Sequence, residues 1–242
     1  MNPESALSQR HASLVRRISA ACTACGRDAR SVRLLAVSKT FAAPALLELA
    51  RLGQTAFGES YLQEALGKID QCIATSEDVG FEWHFIGPVQ SNKTRQIAEH
   101  FDWVQSVDRD KIALRLAQQR PAHLPALQVC LQVNVSGEQT KSGCLPEQAL
   151  ALARVIASQP ALRLRGVMAI PAPSQNPDDQ RSQFSKVRAV FDSLRTDGFD
   201  LDTLSIGMSD DLEAAIEEGS TMVRVGSALF GPRPPSVSNQ EN

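Results

Sequence analysis

Short apolar runs alternate with longer segments of helical period along most of this chain. The runs read "RLLAVS", "TAFG", "EWHFIG", "DWVQSV", "LQVCLQVNV", "LRGVMAI", "TLSIG" and "MVRVG". Their length and their β-branched and aromatic content predict buried strands. Ahead of the first run, residues 4–25 place Leu7, Leu14, Val15 and Ile18 on one helical face and stop at Gly26, which predicts an opening helix. Between the runs, helices are predicted to open near Pro44, Tyr61, Ser91, Asp108, Pro146, Asp178 and Asp210. Proline suits a first helical turn, and aspartate suits an N-cap or first-turn position.

Eight strands separated by helices predict an α/β fold with a parallel sheet and crossover helices. Eight is also the number that closes a (β/α)8 TIM barrel, and 242 residues suit one barrel domain. An open doubly wound sheet is the alternative, but no GxGxxG follows the first strand. The expected layout is a single barrel domain over residues 1–231 with an extra N-terminal helix. The Pro- and Ser-rich residues 232–242 read as a disordered tail.

Composition narrows the function classes. The formal net charge is -2, which gives no electrostatic reason to expect nucleic acid or a membrane surface as partner. No apolar run reaches the roughly 18 residues of a membrane span. The N-terminal segment is charged and lacks the apolar core of a signal peptide. Five cysteines, an odd number in a chain this long, point to a reducing cytosol rather than a disulfide framework. Cys22 and Cys25 form a CxxC, but with helical flanks and no second pair at metal-site spacing. No metal is expected.

In a barrel, the C-terminal strand ends and the loops after them form the active face. Strand 1 runs into Lys39, a charge that is costly to bury without a partner. A lysine snorkelling to water explains that pattern. So does an amine held ready to form an imine. The loops after strands 7 and 8, "SIGMSDD" and "RVGSALFG", carry glycines and serines where barrels frequently bind phosphate. Together these features suit an aldehyde-bearing phosphate ligand, either pyridoxal 5'-phosphate or a sugar phosphate handled by a Schiff-base aldolase. Arg224 alternates within an apolar strand. Facing inward, it could donate to a pyridine nitrogen; facing outward, it is a solvated surface residue. His84 sits in strand 3 and Asn134 at the end of strand 5; Glu59 and Glu64 read either as acid–base groups or as a solvated helix start.

The stretches "LLAVSKT", "FGESYLQEA", "WHFIGPVQSNK", "VNVSGEQTKSG", "LRGVMAIPAP" and "LSIGMSDDLEAAIEEGSTMVRVGSALFG" occur in this order from Arg33 to Gly231. In them the chain resembles the YggS/PROSC family of pyridoxal phosphate homeostasis proteins, whose fold is that of the N-terminal barrel domain of alanine racemase. The resemblance implies that Lys39 is the Schiff-base lysine. It places Ser209, Gly226 and Ser227 around the phosphate and Arg224 near the pyridine nitrogen. Met208, Asn134 and His84 complete the candidate cofactor-binding set, with Lys141 in a supporting role. Ser60 stands where the family usually has asparagine, which puts any cofactor contact from that side chain in question. The implied function is a cytosolic, non-catalytic carrier or buffer of pyridoxal 5'-phosphate, monomeric, serving apo-enzymes that use it. An amino-acid racemase is the rival. It would need a second base, and the chain has one tyrosine, Tyr61.

Overall fold

The computed structural model describes residues 5–75, 80–137 and 142–232. Eight parallel strands close into a barrel in chain order, β1 to β8. They are β1 (Arg33–Val37), β2 (Ala56–Glu59), β3 (Glu82–Phe85), β4 (Trp103–Val107), β5 (Leu127–Gln132), β6 (Leu162–Met168), β7 (Thr203–Ser205) and β8 (Met222–Val225). All eight apolar runs are strands, so the predicted closed barrel is the observed one. Lys141 and the tail from residue 233 onward lie outside the described residues.

The helices are α1 (Ala6–Ala24), α2 (Ala43–Arg51), α3 (Leu62–Thr75), α4 (Thr94–His100), α5 (Asp110–Gln119), α6 (Ala149–Ala157), α7 (Pro177–Thr196), α8 (Leu212–Glu217) and α9 (Ser227–Phe230). Their starts depart from expectation by a few residues where caps decide. At α7 the cap is Asn176, whose side chain accepts the Asp178 N–H, so Asp178 sits in the first turn. At α8 the cap position is Asp211, one residue beyond the expected Asp210. Helix α1 is capped by Ser5, whose hydroxyl accepts the Ser8 N–H at 3.0 Å. Its Cys22 is buried in the core and burial pushes that thiol up, so half of the CxxC is an inert packing group.

Strand alternation sorts the barrel into two layers. Phe57, Trp83 and Phe85 point outward and pack under the helices in the main core. Leu35, Ala56 and Met222 point inward and pack with Ile86, while Trp103, Cys130 and Met168 form a second inward group. Between these groups the lumen is polar. Arg224 donates to the Ser205 hydroxyl at 2.8 Å, and Ser205 donates to the Gln105 carbonyl oxygen at 2.7 Å. The Gln105 amide lies 2.9 Å from His84 Nδ1, and His84 Nε2 meets Glu82. One close approach explains a glycine: a Cβ on Gly166 would lie 1.7 Å from the Thr203 carbonyl oxygen, so only glycine lets β6 and β7 pair.

Candidate functional site

At the C-terminal strand ends a cavity of about 230 Å³ is lined by Val37, Lys39, Ser60, Ile86, Ile170, Met208, Ser209, Asp210, Arg224, Gly226 and Ser227. Six of the eight candidate residues meet there: Lys39, Met208, Ser209, Arg224, Gly226 and Ser227. The cavity is small, which suits a single-ring ligand.

Arg224 faces inward, as one of its two readings required. It is 3% exposed. Its guanidinium donates to the Ser205 carbonyl at 2.6 Å and to the Ala169 carbonyl at 2.8 Å. Among the described residues it forms no ion pair. Burial pulls it down to about 10, against the attraction of Asp211, and it stays cationic at neutral pH. A buried cation held by neutral partners at a cavity wall is costly unless a ligand acceptor completes its surroundings.

His84 does not line the cavity. Glu82, His84 and Ile86 alternate along one face of β3, and Ile86 is the one that reaches the cavity. His84 lies one layer deeper, fully buried between Glu82 and Gln105. Burial lowers its pKa, with Glu82 opposing, and its Nδ1 lies 2.9 Å from the Gln105 amide. Burial raises the Glu82 carboxyl, but His84 and Arg33 outweigh it and hold it at about 2. Asn134 is also outside the lining. Strand β5 ends at Gln132, and the Asn134 side chain accepts the Ser136 N–H at 3.2 Å and the Ser136 hydroxyl at 2.9 Å.

Neither Glu59 nor Glu64 lines the cavity; they belong to a cluster behind Lys39. Glu59 points outward from β2 and is fully buried. Lys68 of α3 donates to Glu59 at 2.6 Å and to the Ser38 carbonyl at 2.7 Å, and pairs with Glu64 at 2.6 Å. The Ser38 hydroxyl donates to Glu59 at 2.6 Å. The Thr40 N–H donates to Glu64 at 2.5 Å. Burial pushes the Glu59 carboxyl up, with Lys68 and Ser38 opposing. Thr40 holds a φ of 72°, strained for a β-branched residue. The residues on both sides of Lys39 are thus fixed by one ionic cluster. None of it was visible from strand and helix periods.

Lys68→Met is expected to cost about 3–5 kcal/mol of folding stability, because Glu59 is left buried without its cation. Lys68→Met/Glu59→Leu should regain most of that loss in urea unfolding. The same double variant should still react poorly at Lys39 with a small aldehyde, since the flanking backbone is no longer held. Recovery of both properties together would show that the cluster does not position Lys39.

The loop after β7 turns at Gly207, with φ 96°, where a Cβ would lie 2.6 Å from the Ala215 Cβ. The turn brings the Ser209 hydroxyl to 3.3 Å from the Ser227 hydroxyl, and Ser209 Oγ accepts the Ala228 N–H at 3.4 Å. Two hydroxyls and the Ala228 N–H of α9 so converge on one side of the cavity. Phe41, two residues beyond Lys39, stacks on Phe230 at 4.6 Å and ties this loop region to the lysine. Asp210, a carboxylate at the rim, was not foreseen; nor were the apolar walls Ile86 and Ile170. Among the described residues no group of three or more His, Cys, Asp or Glu is placed to hold a metal.

The family model "Alanine racemase, N-terminal domain" matches residues 12–234. The "Pyridoxal phosphate homeostasis protein" of Pseudomonas aeruginosa is 56% identical over 229 residues, covering 95% of this chain and 96% of that one. The structure of PipY from Synechococcus elongatus with PLP bound superposes with a TM-score of 0.80 at 32% identity, over 93% of this chain and all of that one. Alanine racemase from Corynebacterium glutamicum shares the fold, with a TM-score of 0.66 at 18% identity over 94% of this chain and 62% of that chain. With more than half its residues identical to such a relative over nearly its whole length, and a barrel to match, the chain belongs to the pyridoxal phosphate homeostasis protein family, within the alanine racemase N-terminal domain group.

Proposed function

We propose that this protein binds pyridoxal 5'-phosphate through a reversible Schiff base to Lys39 and buffers or delivers it to apo-enzymes that need it. The observation that carries the reading is the shared cavity: a lysine at its β1 edge, a buried guanidinium on β8, and two converging serine hydroxyls. Lys39 supplies the amine for the aldehyde. Ser209, Ser227 and the Gly226 backbone hold the phosphate. Arg224 donates to the pyridine nitrogen and keeps it unprotonated, since a guanidinium has no acceptor. When bound, the ligand supplies a reactive aldehyde and an electron-withdrawing ring; without a proton on its nitrogen, that ring is a weak sink for carbanion chemistry.

The relatives' printed names speak of homeostasis rather than of an enzyme, which supports a carrier without strong turnover. A racemase would need a second base across the ring from Lys39. Tyr61 is 56% exposed and is not among the cavity-lining residues. No helix among the described residues is long and apolar enough to cross a membrane. The reading sets the protein in the cytosol as a monomer.

Protein loaded with pyridoxal 5'-phosphate should restore activity to an apo-enzyme that uses it, and its own visible imine absorbance should fall in step. Retention of the band with no activity restored would leave a sink, not a carrier.

A further inference from the structure

The serine side of the cavity comes from the segments after β7 and β8, and these are gripped from outside by arginines of the N-terminal segment. Arg17 of α1 donates to the Ser209 carbonyl at 2.8 Å. The same guanidinium engages both carboxylate oxygens of Glu213 on α8 through Nε and through a second N–H at 2.6 Å. Arg10, seven residues earlier and so on the same helical face, donates to the Leu229 and Phe230 carbonyls at 2.8 and 3.0 Å. Arg27, just past α1, donates to the Ile216 and Ser220 carbonyls at 2.7 and 2.8 Å. These contacts span more than 180 residues of sequence and reach the segments on either side of the cavity's two serines.

We infer that Arg17 is a positioning residue for the phosphate grip, and that α1 thereby sets the preference for the phosphorylated ligand over the same ring without phosphate; this rests on the function proposed above. The loop turns through Gly207 and is held from within on either side of that turn: the Arg224 N–H donates to the Gly207 carbonyl and the Met208 N–H to the Asp211 carboxylate, which leaves the Ser209 carbonyl to an outside donor. Arg17 takes the Ser209 carbonyl on the outer side while the Ser209 hydroxyl meets Ser227 on the inner side. Glu213 holds the guanidinium in a planar two-point fork through Nε and Nη2, which fixes the direction in which Nη1 donates to Ser209. The fork is partly exposed, with side chains 36% and 47% accessible, so its value lies in geometry rather than in bulk stability. Arg224 is held by the Ser205 and Ala169 carbonyls, so the ring end has its own anchor inside the barrel.

The test uses the full chain and two ligands, pyridoxal 5'-phosphate and pyridoxal, each titrated by the visible absorbance of the imine. Wild type should favour the phosphorylated ligand; equal binding of both would overturn the phosphate reading itself, whatever the variants do. Arg17→Ala should weaken the phosphorylated ligand roughly ten- to a hundredfold and leave pyridoxal unchanged. Arg17→Lys keeps the charge but loses the fork and should recover little. Equal weakening of both ligands, no weakening of either, or full recovery by lysine overturns the inference. Should Arg17→Ala fail to fold, Glu213→Gln, which keeps volume and loosens the fork, must show the same selective loss; unchanged discrimination there overturns it equally.

Discussion

Replacing Lys39 by alanine abolishes the covalent adduct that borohydride traps after incubation with pyridoxal 5'-phosphate, and removes the visible imine band. The expected effect is total, because a Schiff base needs a primary amine at bonding distance and a methyl group offers none. Folding should be nearly untouched. Lys39 lies beyond the last residue of β1 and is only half buried, so the change removes no core volume. Arg224, Ser209 and Ser227 remain, so weak non-covalent binding persists while the bond is lost. Intact-mass measurement after reduction checks the prediction: a variant labelled as fully as wild type would move the reactive amine to another lysine.

The second large effect is at the phosphate. Ser227→Asp sets a carboxylate against a dianion. Two unit charges about 4 Å apart at an effective dielectric of about 20 repel by about 4 kcal/mol. Ser227 is exposed, so solvent screens part of this. A ten- to hundredfold rise in the dissociation constant remains after a discount of about half. Ser227→Ala is the control. It removes one hydroxyl and should cost about 1 kcal/mol or less, because Ser209 and the backbone still serve the phosphate. Equal losses for alanine and aspartate in an absorbance titration would place the phosphate elsewhere.

How much of this could be read in the sequence depends on what period and spacing encode. Alternation groups the residues that share a face of the sheet, but it left Arg224 open between inward and outward, and the closed barrel places it inward. It does not fix depth. His84 and Ile86 share a face of β3, but the stagger of the barrel sets Ile86 at the cavity and His84 a layer below. Gln105 and Ser205, which link His84 to Arg224, went unread for the same reason: each is an ordinary polar residue until eight strands close around it. The apolar run "LQVCLQVNV" concealed the end of β5. The pairing with β6 stops at Gln132, and Asn134 folds into its own turn. The Lys68 cluster joins Glu59, Glu64 and Ser38 across three elements, a convergence that no local pattern carries. Arginines 10, 17 and 27 have no local signal of their contacts, because their partners lie near the other end of the chain. The glycine- and serine-rich strand ends were legible because their chemistry is local: a phosphate loop needs backbone approach and hydroxyls within a few residues.

These residues join in one claim: a single amine, braced on both sides by a buried ionic cluster, meets an aldehyde whose ring nitrogen faces Arg224 and whose phosphate rests on Ser209 and Ser227. Peptide mapping of the borohydride-reduced wild-type protein tests it most directly. The pyridoxyl label is predicted on the peptide that contains Lys39 and on no other at one equivalent of ligand. A label spread over several lysines, or concentrated on one remote from the β1 end, would contradict it.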